Sequence, residues 1–171
     1  MSEAAKNKHR VMHLLEGNGV DIGCGDDKIV EHAIGVDMVR RKENINWILD
    51  VRKGLPFKDG TLDWVHSSHT LEDIQDTKAA LTEWWRVLVP GRGRLILYLP
   101  HKHYYPNIGQ PHANAGHKHD FLPIDVIAVM AHVGEYDLEV DQVFAPPNGV
   151  YDYENRGKIE YSFLQIYRKI K

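Results

Sequence analysis

The sequence predicts an α/β domain built on a doubly wound, seven-stranded, mostly parallel sheet, with an antiparallel pair at one edge and little helix on its N-terminal side. Three observations carry this expectation. The stretch Gly19-Val20-Asp21-Ile22 is short and apolar enough to be a buried strand, breaks into Gly23-Cys24-Gly25, and is soon followed by Ala33-Ile34-Gly35-Val36-Asp37, a second strand ending on a carboxylate. Leu81, Trp84, Trp85 and Leu88 recur at i, i+3, i+4 and i+7 before Pro90-Gly91, the mark of an amphipathic helix with a hard stop. Arg94-Leu95-Ile96-Leu97-Tyr98-Leu99 then runs almost without a polar residue, as a central parallel strand should.

The remaining elements follow in order. Residues 8–16 carry Val11, Leu14 and Leu15 at helical spacing, and Gly17 closes this lead-in helix. Only about eight residues, 26–33, separate the glycine turn from the second strand, so a crossover helix there has at most about two turns. Residues 38–46 form a short polar link to a third strand, 47–51. Residues 61–68 form a fourth strand, with Lys58-Asp59-Gly60 as the turn before it. Asp76 is placed to cap the tryptophan helix, whose Trp84 and Trp85 are expected in the core. After the fifth strand comes a loop of about twenty residues holding His101, His103, His112, His117 and His119, a length that usually signals function. Pro123 opens a last helix with Ile124, Ile127, Ala128 and Ala131 on one face and Gly134 at its end. Residues 136–143 and 161–167 supply the final antiparallel pair.

Composition narrows the function. The 171 residues suit one domain over 1–171 with a substantial core. Twenty-one basic against 24 acidic residues give a net charge of −3, and the basic residues are scattered, which argues against nucleic acid as a partner. The one cysteine, Cys24, excludes an intramolecular disulfide and suits a reducing compartment. Residues 1–10 are polar, and the longest pure apolar run, 95–99, is too short to cross a bilayer. A soluble, cytoplasmic protein with no membrane partner is expected.

The ligand is read from the first two strands. Gly23 and Gly25 permit positive φ and a close ligand, and Asp37 at the next strand tip suits the two hydroxyls of a ribose. A dinucleotide fingerprint needs a third glycine three residues on and bare N–H groups for a pyrophosphate; Lys28 stands there instead. Asp26 and Asp27 repel an anion at that place and attract a sulfonium or ammonium. S-adenosylmethionine (SAM), with a ribose, a cationic sulfur and no phosphate, fits where NAD and ATP do not.

Asp21-Ile22-Gly23-Cys24-Gly25, Asp37, Leu55-Pro56-Phe57-x-x-Gly60-x-x-Asp63 and Arg86-Val87-Leu88-x-Pro90-Gly91, in that order and spacing, resemble the class I SAM-dependent methyltransferases of the type 11 group, from about Val20 to Leu99. The resemblance implies a Rossmann-like sheet and a methyl transfer from SAM. By it, Asp21, Gly23, Cys24 and Gly25 hold the methionine tail, Asp37 the ribose, and Asp50 with Val51 the adenine; Met38 and Ser67 complete the expected cofactor contacts. Two departures stand out: the compressed first crossover, and Leu71-Glu72-Asp73 where relatives often have Leu-Glu-His, so the role of that histidine is not carried over.

Ser67, Ser68 and His69 follow the fourth strand, at the sheet edge where ligands of such folds bind. His69, with His117 or His119, is the expected group to orient or deprotonate an oxygen or nitrogen acceptor. His117-Lys118-His119-Asp120-Phe121 resembles a segment of glycan-associated methyltransferases that covers the acceptor pocket, which implies a small-molecule or saccharide acceptor. Two other readings stay open: a catalytically silent SAM-fold partner subunit, and a metal-dependent enzyme in which His101-x-His103 and His117-x-His119-Asp120 of the loop 101–119 supply nitrogen and carboxylate ligands. No metal is expected on the main reading.

Overall fold

The computed structural model describes residues 2–39 and 45–171. The chain runs α1 (Glu3–Val11), β1 (Gly19–Ile22), β2 (Ile34–Asp37), β3 (Trp47–Ile48), β4 (Trp64–Ser68), α2 (Thr77–Arg86), β5 (Arg94–Pro100), α3 (Pro123–Met130), β6 (Tyr136–Phe144) and β7 (Ser162–Lys169). One seven-stranded sheet has the order β3-β2-β1-β4-β5-β7-β6. The first five strands of that order are mutually parallel, and β7 lies antiparallel between β5 and β6. The expected mixed sheet is therefore present, with its antiparallel pair at the β6 side.

The helices follow their local chemistry. α1 starts five residues before the expected position because the Ser2 hydroxyl accepts the Ala5 N–H at 3.2 Å and so caps it, with Glu3 in the first turn and Lys8, His9 and Arg10 in the last. In α2 the Asp76 carboxylate accepts the Ala79 N–H at 2.9 Å, and Trp84 and Trp85 are buried. α3 is where periodicity misled. Val126 and Met130, an i, i+4 pair, face the core, while Ile124 is 62% exposed. The helix is apolar nearly all round, so pattern alone cannot choose its inner face.

The crossover between β1 and β2 contains no helix. Residues 26–33 pass as turns and bends that drop Ile29, Val30 and Ala33 into the core, and the Lys28 ammonium ties off the Glu31 and Ala33 carbonyls at 2.7 and 3.1 Å. Strand β3 keeps only two of its five expected residues, because Asp50 turns the chain into a 3-10 turn over Val51–Lys53. Part of the expected 38–46 link, residues 40–44, lies outside the described residues. β4 begins three residues late because Thr61 and Leu62 give their N–H groups to the Val87 carbonyl after α2.

Two apolar clusters sandwich the sheet. α2 and α3 cover one face through Leu81, Trp84, Val126 and Met130. α1 and the segment after the glycine turn cover the other through Val11, Leu15, Ile29 and Val30. All five parallel strands end on one edge, which gathers Gly23, Asp37, His69 and the segment after β5 at a common rim.

Candidate functional site

The glycine turn is built as the sequence demands. Gly23 has φ of 70°, and a Cβ there would fall 1.9 Å from the Thr70 hydroxyl. Gly25 has φ of 54° with nothing within 4 Å of the place where its Cβ would stand, so a ligand can reach that backbone. Asp37 closes the turn: one carboxylate oxygen accepts the Gly25 N–H at 3.0 Å and the other accepts the Val39 N–H at 3.1 Å. Each oxygen keeps a further lone pair, so the carboxylate, held in place, can accept two hydroxyls side by side. The residues present thus fit the ribose of SAM. Met38, next in the chain, is half-exposed beside it. Asp26 and Asp27 line a cavity of about 480 Å³ shared with Ala4, Ala5 and Lys8 of α1.

Four of the expected cofactor contacts have other occupations. Asp21 is buried, with one oxygen accepting the Ile29 N–H at 2.6 Å and the other paired with His66 Nδ1 at 2.7 Å. It braces the helix-less crossover from beneath. The Ser67 hydroxyl is buried and donates to the Ile22 carbonyl at 3.3 Å, tying β4 to β1. Val51 is in the core. Asp50 accepts the Arg52 N–H and takes its guanidinium at 2.7 and 2.9 Å, which lowers the carboxyl to about 2 and ties it up as a turn cap. Cys24 is a small turn residue: burial, with Asp21 and Asp37 nearby, raises its thiol to about 12.

The histidines divide. His69, in a left-handed conformation at φ of 49°, is packed at the tip of β4 with Nε2 2.8 Å from the Ser162 hydroxyl. Burial, with the charges of Lys6 and His117, lowers it to about 3, so the ring is neutral. His117 is buried close by and is also held below its ordinary value by burial. His119 stands apart: its Nε2 contacts the carbonyls of Ile74 and Gln75 at 3.1 Å, so that nitrogen carries the proton and pins the loop to the approach to α2.

Between His69 and His117 sits a residue that sequence reasoning passed over. Glu72 is 1% exposed, its Oε1 lies 3.8 Å from His69 Nδ1 and 3.7 Å from His117 Nε2, and neither oxygen has a hydrogen-bond partner. Burial, reinforced by Asp73 and Glu3, raises its pKa well above the carboxylate range. Its backbone carbonyl accepts the N–H groups of Lys118 and His119, so the same residue anchors the histidine loop. Tyr105, Tyr151 and Tyr161 wall the cluster: Tyr105 packs 5.3 Å from His117 and 5.2 Å from Tyr161, and Tyr151 packs 5.1 Å from Tyr161. Glu3 joins from α1, accepting the Tyr161 hydroxyl at 2.7 Å. Glu72, one turn past a strand tip, carried a local signal; Glu3 and Tyr161, 158 residues apart, carried none.

Among the described residues, no three His, Cys, Asp or Glu side chains are grouped to hold a metal ion, and no helix is long and apolar enough to cross a membrane. His101 and His103 pack edge to face with ring centres 5.3 Å apart; His101 lines a narrow crevice together with His117 and His119, whereas His103 borders the outer side of the loop.

Residues 20–97 match the family model described as "Methyltransferase domain" (Methyltransf_11). Over 43 residues the chain is 54% identical to the demethylmenaquinone methyltransferase of Streptomyces griseus, covering 25% of this chain and 18% of that protein. Over 86 residues it is 31% identical to a ubiquinone/menaquinone biosynthesis C-methyltransferase of Pectobacterium atrosepticum, covering 48% and 34%. The matches span about a third or less of the length of those curated relatives. The fold extends further: a SAM-dependent methyltransferase from Archaeoglobus fulgidus superimposes with a TM-score of 0.74 at 16% identity, over 97% of this chain and 92% of that one. The glycine turn and the Asp37 carboxylate lie within the segment that matches the family model, and the fold of the chain as a whole is similar to that of the Archaeoglobus fulgidus protein.

Proposed function

We propose that residues 1–171 act as one domain that transfers a methyl group from SAM to an oxygen or nitrogen nucleophile of a small-molecule or saccharide acceptor. The observation that carries this reading is the carboxylate of Asp37 fixed across the Gly23–Gly25 turn, a ribose receptor with no phosphate cradle beside it. SAM supplies an activated methyl on a cationic sulfur, which leaves without the help of an acid. What the chain must add is alignment, a dry site and a place for the acceptor's proton. Asp37 accepts the ribose hydroxyls, and the backbone at Gly23 and Gly25 admits the tail. His69 pairs its Nε2 with the Ser162 hydroxyl; in the tautomer with the proton on Nε2, Nδ1 is bare toward the cluster and able to take a proton, and His117 stands next to it. The family match ends at Leu97, before Tyr105, His117, Tyr151 and Tyr161.

Calorimetric titration with SAM and with S-adenosylhomocysteine, followed by a screen of candidate acceptors with methyl-labelled SAM, tests the reading. Binding of both nucleosides and label transfer to a hydroxyl or amine support it. Absence of binding for either removes it.

A further inference from the structure

We propose that the acceptor carries a protonated nitrogen, seated against the Glu72 carboxyl group and the rings of Tyr105 and Tyr161. The inference rests on the methyl-transfer reading for its biological setting, and on Glu72 for its chemistry.

An unpartnered carboxyl group at 1% exposure is costly to bury. Both Glu72 oxygens lack a partner, and so does Oε2 of Glu3 nearby. The two imidazoles that flank Glu72 lie at 3.7 and 3.8 Å, beyond hydrogen-bond reach. The third wall is aromatic. Tyr105 and Tyr161 pack 5.2 Å apart with their ring planes tilted by 39°, and burial, with Glu72 nearby, raises the Tyr105 phenol pKa. A carboxylate beside aromatic faces is the surrounding that an ammonium group prefers, with hydrogen bonds to the acid and cation–π attraction from the rings. The protein demonstrates this on itself: the Lys6 ammonium sits 4.6 Å over the Tyr161 ring and 2.6 Å from the other Glu3 oxygen. An anionic acceptor meets Glu3, Glu72 and Asp73 and is repelled. A neutral hydroxyl satisfies one oxygen and leaves the charge unmatched.

Topology assigns this place to the acceptor. Asp37 is on β2, two strand spacings, or about 10 Å, from β4, which is enough for the donor to run from its ribose to the β4 tip. Glu72 follows β4 and lies between His69 and His117, and His69 in turn packs against Tyr161. A trough of about 530 Å³ lies on the outer side of Tyr105 and Tyr151.

The test is an NMR titration of the protein, free and saturated with S-adenosylhomocysteine, with phenethylammonium chloride and with its neutral counterpart 2-phenylethanol. The parent protein should bind the ammonium at least about tenfold more tightly than the alcohol, with shifts at Tyr105 and His117. Glu72→Gln should cut that preference below about threefold while S-adenosylhomocysteine affinity stays within about twofold, which also certifies its fold. Tyr105→Leu should weaken the ammonium at least about fivefold, and serves if Glu72→Gln does not fold. No preference in the parent, or a preference that survives Glu72→Gln, overturns the proposal. Loss of SAM affinity in Glu72→Gln with S-adenosylhomocysteine affinity kept also overturns it, by giving the carboxyl to the donor's sulfonium. Failure of the parent to bind either nucleoside strikes the methyl-transfer reading alone, because the ammonium titration of the free protein stands by itself.

Discussion

Replacing Asp21 by Ala separates a structural carboxylate from a ligand-binding one. In the native protein its two oxygens hold the Ile29 N–H at 2.6 Å and His66 Nδ1 at 2.7 Å, and both side chains are essentially without solvent contact. The substitution leaves two buried donors unmatched, at about 1–3 kcal/mol each. That agrees with the roughly 3–5 kcal/mol lost when one member of a buried pair is removed. For a domain of this size about 1 kcal/mol moves Tm by about 2–4 °C, so the expected fall is about 6–20 °C. Thermal and urea unfolding measure it, and Asp21→Asn, which keeps one acceptor, should lose about half as much. S-adenosylhomocysteine affinity, measured well below the variant's Tm, should stay within about threefold of the parent, since both carboxylate oxygens are already committed to Ile29 and His66. A Tm within about 2 °C of the parent together with a tenfold or greater loss of affinity would refute the assignment and return Asp21 to the ligand.

Asp37→Ala should do the reverse: loss of two charge-assisted ribose contacts, each about 1.5–3 kcal/mol, weakens SAM at least tenfold by calorimetry, and undiminished binding would mean that the ribose lies elsewhere. His69→Ala should lower kcat by roughly 10²-fold. Because the ring is held near pKa 3, the parent's rate should show no break near pH 6.5, and a clear break there would identify another base. Glu72 is an acid whose folded pKa lies above its unfolded value of 4.5, so its penalty is absent at low pH and grows as pH rises from 4.5 toward the folded pKa. Melting curves of Glu72→Gln should therefore gain on the parent with rising pH, and parallel curves would count against a Glu72 that burial holds above the ordinary carboxylate range. Cys24, near pKa 12 and 6% exposed, should react with a thiol reagent at least about 10²-fold more slowly in the native than in the unfolded protein, and rapid native labelling would mean an open turn.

The sequence by itself determined the parts whose cause is local. The glycine turn and the carboxylate after the second strand are legible because positive φ needs glycine and a strand tip fixes where Asp37 points. The tryptophan helix and its Asp76 cap are legible because capping and 3.6-residue periodicity act within one element. The parallel order follows from apolar strands separated by crossovers. Tertiary structure decided everything that depends on which strangers meet. Asp21 reads as a ligand in the glycine motif, yet the absence of a crossover helix gives it Ile29 and His66 to hold, a consequence of spacing among segments 45 residues apart. The inner face of α3 was settled by the sheet it landed on, not by its uniformly apolar pattern. Five histidines in one loop look alike in sequence, and only packing buries His117 beside Glu72 while turning His119 onto backbone carbonyls. The carboxyl cluster itself joins α1, the β4 tip, the loop after β5 and the start of β7, and desolvation, a property of the assembled whole, is what makes Glu72 chemically distinct.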